Sequence, residues 1–316
     1  MRYFKYFCTR KPIDIASKFY SRGKLLLTGE YAVLDGAKSL ALPTKRGQSL
    51  SIKSAKGADL SWVSLDSEGK KWFESSISLY DFSPTKTTSQ EISDKLQKIL
   101  KNAVRLNSEF LSQWNVFKIE TKLEFPNDWG LGSSSTLYDL VAQWADVDPL
   151  ELYLKSENGS GYDVACAAAD APLLYQSTDE SITYREVDFK PSFVNKLWLV
   201  HLGNKQSSSE GIKAYHNSVK NKKQLVDKIS EITDSLLKVK SLNQFEELME
   251  RHEQTIAEHT GFEPIKEKKF KDFNGCVKSL GAWGGDFVLV TSNENPSSYF
   301  KKHQMNTVIP YSELIL

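Results

Sequence analysis

Alternation is clearest over residues 117–125, where Phe117, Ile119, Thr121, Leu123 and Phe125 fall on one side of an extended chain and Lys118, Glu120, Lys122 and Glu124 on the other. A period of two predicts a half-buried strand. Over residues 91–106 the period becomes helical, with Ile92, Leu96, Ile99, Leu100, Ala103 and Val104 on one face. Three leucines, Leu25 to Leu27, predict a strand buried on both sides. Short β-prone pieces over residues 39–63, broken by Gly47, Gly57 and Asp59, predict a series of antiparallel hairpins. The apolar-rich run 137–144 predicts a helix, and residues 146–157 a polar connection with one helical turn. Strands follow at 181–187 and 196–201. From 210 to about 280 the pattern is helical, carried by Leu225, Ile229, Ile232, Leu236, Phe245, Met249 and Ile256, with Pro264 opening a further helix. A last strand begins near Phe287.

Composition narrows the classes of function. The 316 residues suffice for one large or two medium domains. Lys+Arg 41 against Asp+Glu 40 gives a formal charge of +1, so nothing global argues for nucleic acid or an anionic membrane as partner. No apolar run approaches the ~20 residues of a membrane span. Cys8, Cys166 and Cys276 are few, odd in number and far apart, which predicts reduced thiols in a cytoplasmic protein rather than a disulfide framework or a zinc site. Residues 1–17 are basic and aromatic, with Lys5 interrupting any secretory core, and are placed outside the fold.

The alternating strand delivers the chain to Pro126-Asn127-Asp128-Trp129-Gly130-Leu131-Gly132-Ser133-Ser134-Ser135-Thr136. Glycines admit a tight turn, serines cap a helix, and the unpaired N–H groups and dipole of that helix favour an anion. A triphosphate is the expected occupant. The stretch lacks the Gly-Lys-Ser/Thr of the common nucleotide loop, and Ser135 stands where a dinucleotide fingerprint needs its third glycine. Gly159-Ser160-Gly161-Tyr162-Asp163 also leads into a run of small residues, and there Asp163 suits either a helix's first turn or proton transfer. Gly281-Ala282-Trp283-Gly284-Gly285-Asp286 leads into the last strand.

Together these stretches resemble the GHMP kinases, the family of galactokinase, homoserine kinase, mevalonate kinase and phosphomevalonate kinase. Pro-x-x-x-Gly-Leu-Gly-Ser-Ser over 126–134 is similar to the family's ATP loop. Gly-Lys-x-x-x-x-Gly-Glu over 23–30 resembles its first motif, and Gly-Ser-Gly-x-Asp-x-Ala-x-Ala over 159–167 the motif with the catalytic aspartate. The turn at 281–286 resembles the glycine-rich third motif, with Trp283 in place of a glycine. Tyr31 after Glu30, and Asp286, are the choices of the phosphomevalonate kinase branch. The resemblance covers about residues 18–310.

It implies an α+β, two-lobed fold: a ribosomal-protein-S5-like lobe over 18–175 and a ferredoxin-like lobe over 176–316. ATP and Mg²⁺ would meet a small-molecule acceptor between them, with neither nucleic acid nor membrane as partner. The chain would act as a cytoplasmic monomer or homodimer. By resemblance, Asp163 and Lys24 are catalytic. Pro126, Gly130, Leu131, Gly132, Ser133, Ser134, Ser135, Gly284 and Gly285 hold the nucleotide, and Ser134 and Glu157 the metal. Glu30, Tyr31, Ser160, Gly161, Lys205, Ser207, Gly281 and Asp286 face the acceptor. The interval from Ser134 to Asp163 is shorter than the family's, so no glutamate sits at the family's offset for the second metal ligand, and Glu157 and Glu151 are the available substitutes. The implied acceptor is phosphomevalonate, of the mevalonate and isoprenoid pathway. Mevalonate or another alcohol is the alternative acceptor, and a non-catalytic ATP or metabolite sensor the alternative class.

Overall fold

A computed structural model describes residues 16–113, 115–203, 208–281, 283 and 285–316. Its first sheet contains β1 (Ala16–Thr28), β2 (Ser39–Ser54), β3 (Asp59–Leu65), β4 (Lys71–Ser78), β5 (Pro84–Thr87), β6 (Phe117–Leu123), β7 (Leu173–Ser177) and β8 (Ile182–Glu186). The second contains β9 (Leu197–His201), β10 (Val277–Leu280), β11 (Phe287–Thr291) and β12 (Val308–Pro310). Helices α1 (Gln90–Leu106), α2 (Ser133–Ala145), α3 (Pro149–Ser156) and α4 (Tyr162–Ala167) belong to the first half of the chain. The second half has α5 (Ser208–Ser218), α6 (Lys222–Leu236), α7 (Leu242–Thr260), α8 (Ile265–Lys269), α9 (Ser297–Lys302) and α10 (Tyr311–Leu314).

In the first sheet the order is β5-β4-β3-β6-β2-β7-β8, with β1 also paired to β2; in the second it is β10-β11-β9-β12. The α+β class and two-sheet division expected from the sequence are present. On β6, Phe117, Ile119, Thr121 and Leu123 are buried and the lysines and glutamate between them exposed, as the alternation predicts. On α1, Leu96, Ile99, Leu100 and Ala103 are buried. They pack with Ile52, Trp62 and Phe73 of the sheet and with Tyr138, Leu140 and Val141 of α2. A second core cluster joins the two sheets: Leu25, Leu27, Leu123 and Phe125 pack with Leu199, Phe287 and Leu289.

Three local expectations are corrected. Residues 39–63 are not a hairpin series: β2 is one long strand through Gly47, and β6 lies between β2 and β3, parallel to β3. Residues 277–280 are not helical but form β10, antiparallel to β11. Ala16 and Ser17, assigned by sequence to the extension, pair with Lys53 and Ile52. In each case a long-range backbone partner decides the structure, and local periodicity does not report it.

Candidate active site

Strand β6 ends at the glycine turn, and α2 starts at Ser133. Gly130 and Gly132 have φ of +63° and +87°, in the left-handed region that favours glycine. Neighbours give a second reason for each. A Cβ at 130 would meet the Asp286 carboxylate at 1.7 Å, and one at 132 would meet Ser135 Oγ at 2.4 Å and Lys24 Cε at 2.9 Å. The loop is tied to β1, since Lys24 N donates to Leu131 O at 2.9 Å and Lys24 Nζ to Gly130 O at 3.4 Å. It is tied to the second sheet through Trp129, whose ring meets Phe287 edge-on at 5.5 Å.

A cavity of about 220 Å³ opens over this turn. Lys24, Gly130, Leu131, Gly132, Ser133, Ser134 and Ser135 line it, with Asp163 and Tyr162 from α4 and Gly281 and Asp286 from the turn before β11. Residues from all four sequence stretches therefore meet in one place. Burial by itself pulls the Lys24 ammonium down, but Tyr162, Asp163 and Asp286 outweigh it and hold the group above the usual lysine range. Lys24 is thus a cation at pH 7, beside the N-terminus of a helix. Burial pushes the Tyr162 hydroxyl up to about 12, so it stays protonated.

Ser134 is exposed, and its Oγ accepts from Lys95 Nζ at 2.6 Å. The same ammonium stands 3.9 Å from Glu157 Oε1, which also accepts from the Tyr138 hydroxyl at 2.9 Å. The two oxygens assigned to a metal therefore face one cation in this fold, and their hard donors suit Mg²⁺. Among the described residues no group of three or more acidic, histidine or cysteine side chains could hold a metal. Any Mg²⁺ here would take its remaining oxygens from phosphate and water, its ordinary habit.

Other expected site residues lie away from the cavity. Glu30 is fully buried, with Lys278 Nζ donating to its Oε1 at 2.6 Å. Despite burial, Lys278 and His252 hold its carboxyl below the usual range. His252 Nε2 lies 3.1 Å from both Gly29 N and Glu30 Oε2. Burial pulls the His252 ring pKa down, and Lys278 adds to the effect against the opposing pull of Glu30. Tyr31 has φ +56°, stacks on Tyr215 at 5.4 Å and accepts from Trp283 N at 2.9 Å. Glu30 is tied to Lys278 on β10 and Tyr31 to the backbone of Trp283, and neither lines the cavity. Ser160 O accepts from the Tyr175 hydroxyl, and a Cβ on Gly161 would meet Leu150 at 2.4 Å. Pro126 accepts through its carbonyl from Trp129 N at 3.1 Å, and Gly285 is buried. Gly284, Lys205 and Ser207 lie outside the described residues. Trp283 turns from the cavity, donating from Nε1 to Glu263 O at 3.0 Å and packing near Phe262. Asn127, Tyr162, Leu280 and Lys95 were not expected as individual site residues; the first two lie inside the quoted stretches, whereas nothing in the local pattern separates Leu280 and Lys95 from ordinary core or surface positions.

No protein-family model and no curated protein matches the sequence. Solved structures do match it, along nearly its whole length. Phosphomevalonate kinase from Streptococcus pneumoniae, in complex with phosphomevalonate and AMPPNP, superposes with a TM-score of 0.67 at 18% identity, over 92% of this chain and 95% of that one. The Methanococcus jannaschii mevalonate kinase gives 0.67 at 16% identity, over 94% and 98%. The chain has the GHMP kinase fold. A mevalonate diphosphate decarboxylase from Staphylococcus aureus also shares the GHMP kinase fold with this chain, at a TM-score of 0.59 and 13% identity, over 93% of this chain and 94% of that one. The fold thus spans more than one chemistry, and the reaction has to be argued from the site. No helix among the described residues is long and apolar enough to cross a membrane.

Proposed function

We propose that this chain transfers the γ-phosphate of ATP to a small-molecule acceptor, and that the acceptor is phosphomevalonate. One observation carries the reading: the Lys24 ammonium, the Asp163 carboxylate and the glycine-serine turn share a single cavity. Phosphoryl transfer asks for positioning and charge neutralisation more than for covalent help. The N–H groups of residues 131–135 would receive the phosphates, at a helix start that favours anions. Lys24 would stabilise charge on the moving phosphoryl group. Asp163 would orient the acceptor and take its proton where it has one; a phosphate acceptor needs little base strength. Ser134 and Glu157 would hold Mg²⁺, which when bound neutralises phosphate charge.

Support for phosphomevalonate comes from Tyr31 and Asp286, the residue choices of that branch, and from the likeness to a phosphomevalonate kinase solved with that ligand. The test is ADP release from MgATP with 5-phosphomevalonate, mevalonate, homoserine and galactose offered separately. Turnover with 5-phosphomevalonate alone is expected. Turnover with mevalonate alone would keep the mechanism and discard the acceptor. ATP binding without turnover on any of the four would count for a sensor.

A further inference from the structure

Position 283 is where this chain departs from the glycine-rich pattern, and the departure is built into the fold. The Trp283 backbone N donates to the Tyr31 hydroxyl at 2.9 Å. Its indole Nε1 donates to Glu263 O at 3.0 Å, and its ring lies 6.2 Å from that of Phe262. The Tyr31 peg is itself fixed: its ring stacks on Tyr215 at 5.4 Å and meets Phe262 edge-on at 6.1 Å. The Tyr31 hydroxyl also fills the space beside Gly211 of α5, where a Cβ would meet it at 2.3 Å. With φ at +56°, Tyr31 sits in a region that a tyrosine seldom occupies, and such a conformation persists only where its surroundings demand it.

The same stretch carries Asp286 to the cavity. Its carboxylate occupies the space beside Gly130, where a Cβ would meet Oδ2 at 1.7 Å, and it lines the cavity together with Lys24. Against burial, Tyr162, Asp163 and Asp286 together keep Lys24 a cation. Gly281, Gly284 and Gly285 surround Trp283 in sequence, and glycines leave a free chain many conformations to lose. A residue anchored through both its backbone and its indole removes part of that freedom.

We propose that Trp283 is a positioning residue: pinned to Tyr31 and to Glu263, it holds Asp286 against Gly130 and beside Lys24 in the geometry that phosphoryl transfer uses. This inference rests on the kinase reading of the same cavity. Trp283 does not line the cavity and acts through Asp286.

The test is a double-variant cycle on the full chain: Trp283→Gly, Asp286→Asn and both together, with Trp283→Phe alongside. ADP release is followed with whichever of the four acceptors the natural chain phosphorylates. Calorimetric titration with MgATP counts the competent sites in each variant, so that lost folded protein is not read as lost rate. Trp283→Gly should lower kcat per site by about tenfold, with KM for MgATP within about threefold. Trp283→Phe keeps the ring beside Phe262 and the backbone bond to Tyr31, and should stay within about threefold of the natural chain, one exposed hydrogen bond being worth little. Asp286→Asn should itself be slower by about tenfold or more, and adding Trp283→Gly to it should cost less than about twofold further, because residues acting as a unit are not additive. An unchanged rate in Trp283→Gly overturns the proposal. So do losses that multiply in the double variant, which mean that the tryptophan acts without Asp286, and so does Asp286→Asn at the natural rate. If the natural chain phosphorylates none of the four acceptors, the kinase reading fails first and this inference falls with it.

Discussion

Lys278 Nζ, on β10, lies 2.6 Å from Glu30 Oε1, at the turn after β1, and both side chains are completely buried. Their separation in sequence is 248 residues. The pair joins the end of β1 in the first sheet to β10 in the second, and Tyr31 extends the joint to Trp283. Removing one partner of a buried pair leaves the other charge without compensation, a loss of about 3–5 kcal/mol. Lys278→Met should destabilise by that order in urea unfolding, and Glu30→Gln added to it should restore a large part. A double variant no better than Lys278→Met would show that the methionine's packing, not the stranded carboxylate, sets the loss.

Glu253 lies beside this pair, accepting from Ser279 N at 3.1 Å, and burial pushes its carboxyl up from 4.5 to about 7. A carboxyl raised in the fold holds its proton more tightly there than in the unfolded chain. Its contribution to stability is therefore fullest below pH 4.5 and declines as pH rises to about 7. Glutamine cannot ionise, so Glu253→Gln should gain on the natural chain by about 3 kcal/mol between pH 4.5 and pH 8. Parallel stability curves across that range would remove Glu253 from the account.

Gly132 combines a φ of +87° with contacts that leave no room for a Cβ. Gly132→Ala should strain the turn by about 1–3 kcal/mol and displace Lys24 or Ser135. ATP affinity should fall by about tenfold or more, while thermal unfolding of the rest of the fold moves little. Calorimetry reads the first and fluorescence the second. Full ATP affinity in this variant would mean that the nucleotide binds elsewhere.

Much of the site was legible because its signals are local. Residues 117–136 announce a strand, a glycine turn and a helix within one stretch, and the structure contains all three, although the N-cap of the helix is Gly132 and no serine side chain caps it. Gly130 and Gly132 could be read as a tight turn, though not the particular neighbours, Asp286 and Lys24, that exclude a side chain. What remained hidden depends on distant partners. Glu30 reads as a polar strand end until Lys278 appears opposite it. Lys95 reads as one more lysine on the polar side of α1, and only the folded chain puts it over Ser134. The strand β10 was lost among helices because four residues are too few to show a period. Trp283 is a departure from the glycine motif, and its anchorage at Glu263 O explains how the turn carries so large a side chain without filling the cavity.

The most direct test of the central claim follows ³¹P NMR of MgATP and 5-phosphomevalonate with the natural chain and with Asp163→Asn. The account predicts ADP and a diphosphate product with the natural chain. With Asp163→Asn it predicts a rate lower by roughly 10²-fold or more, while ATP affinity stays within a few-fold. Product formed at the natural rate by Asp163→Asn would contradict it, as would bound ATP that never yields its γ-phosphate to this acceptor.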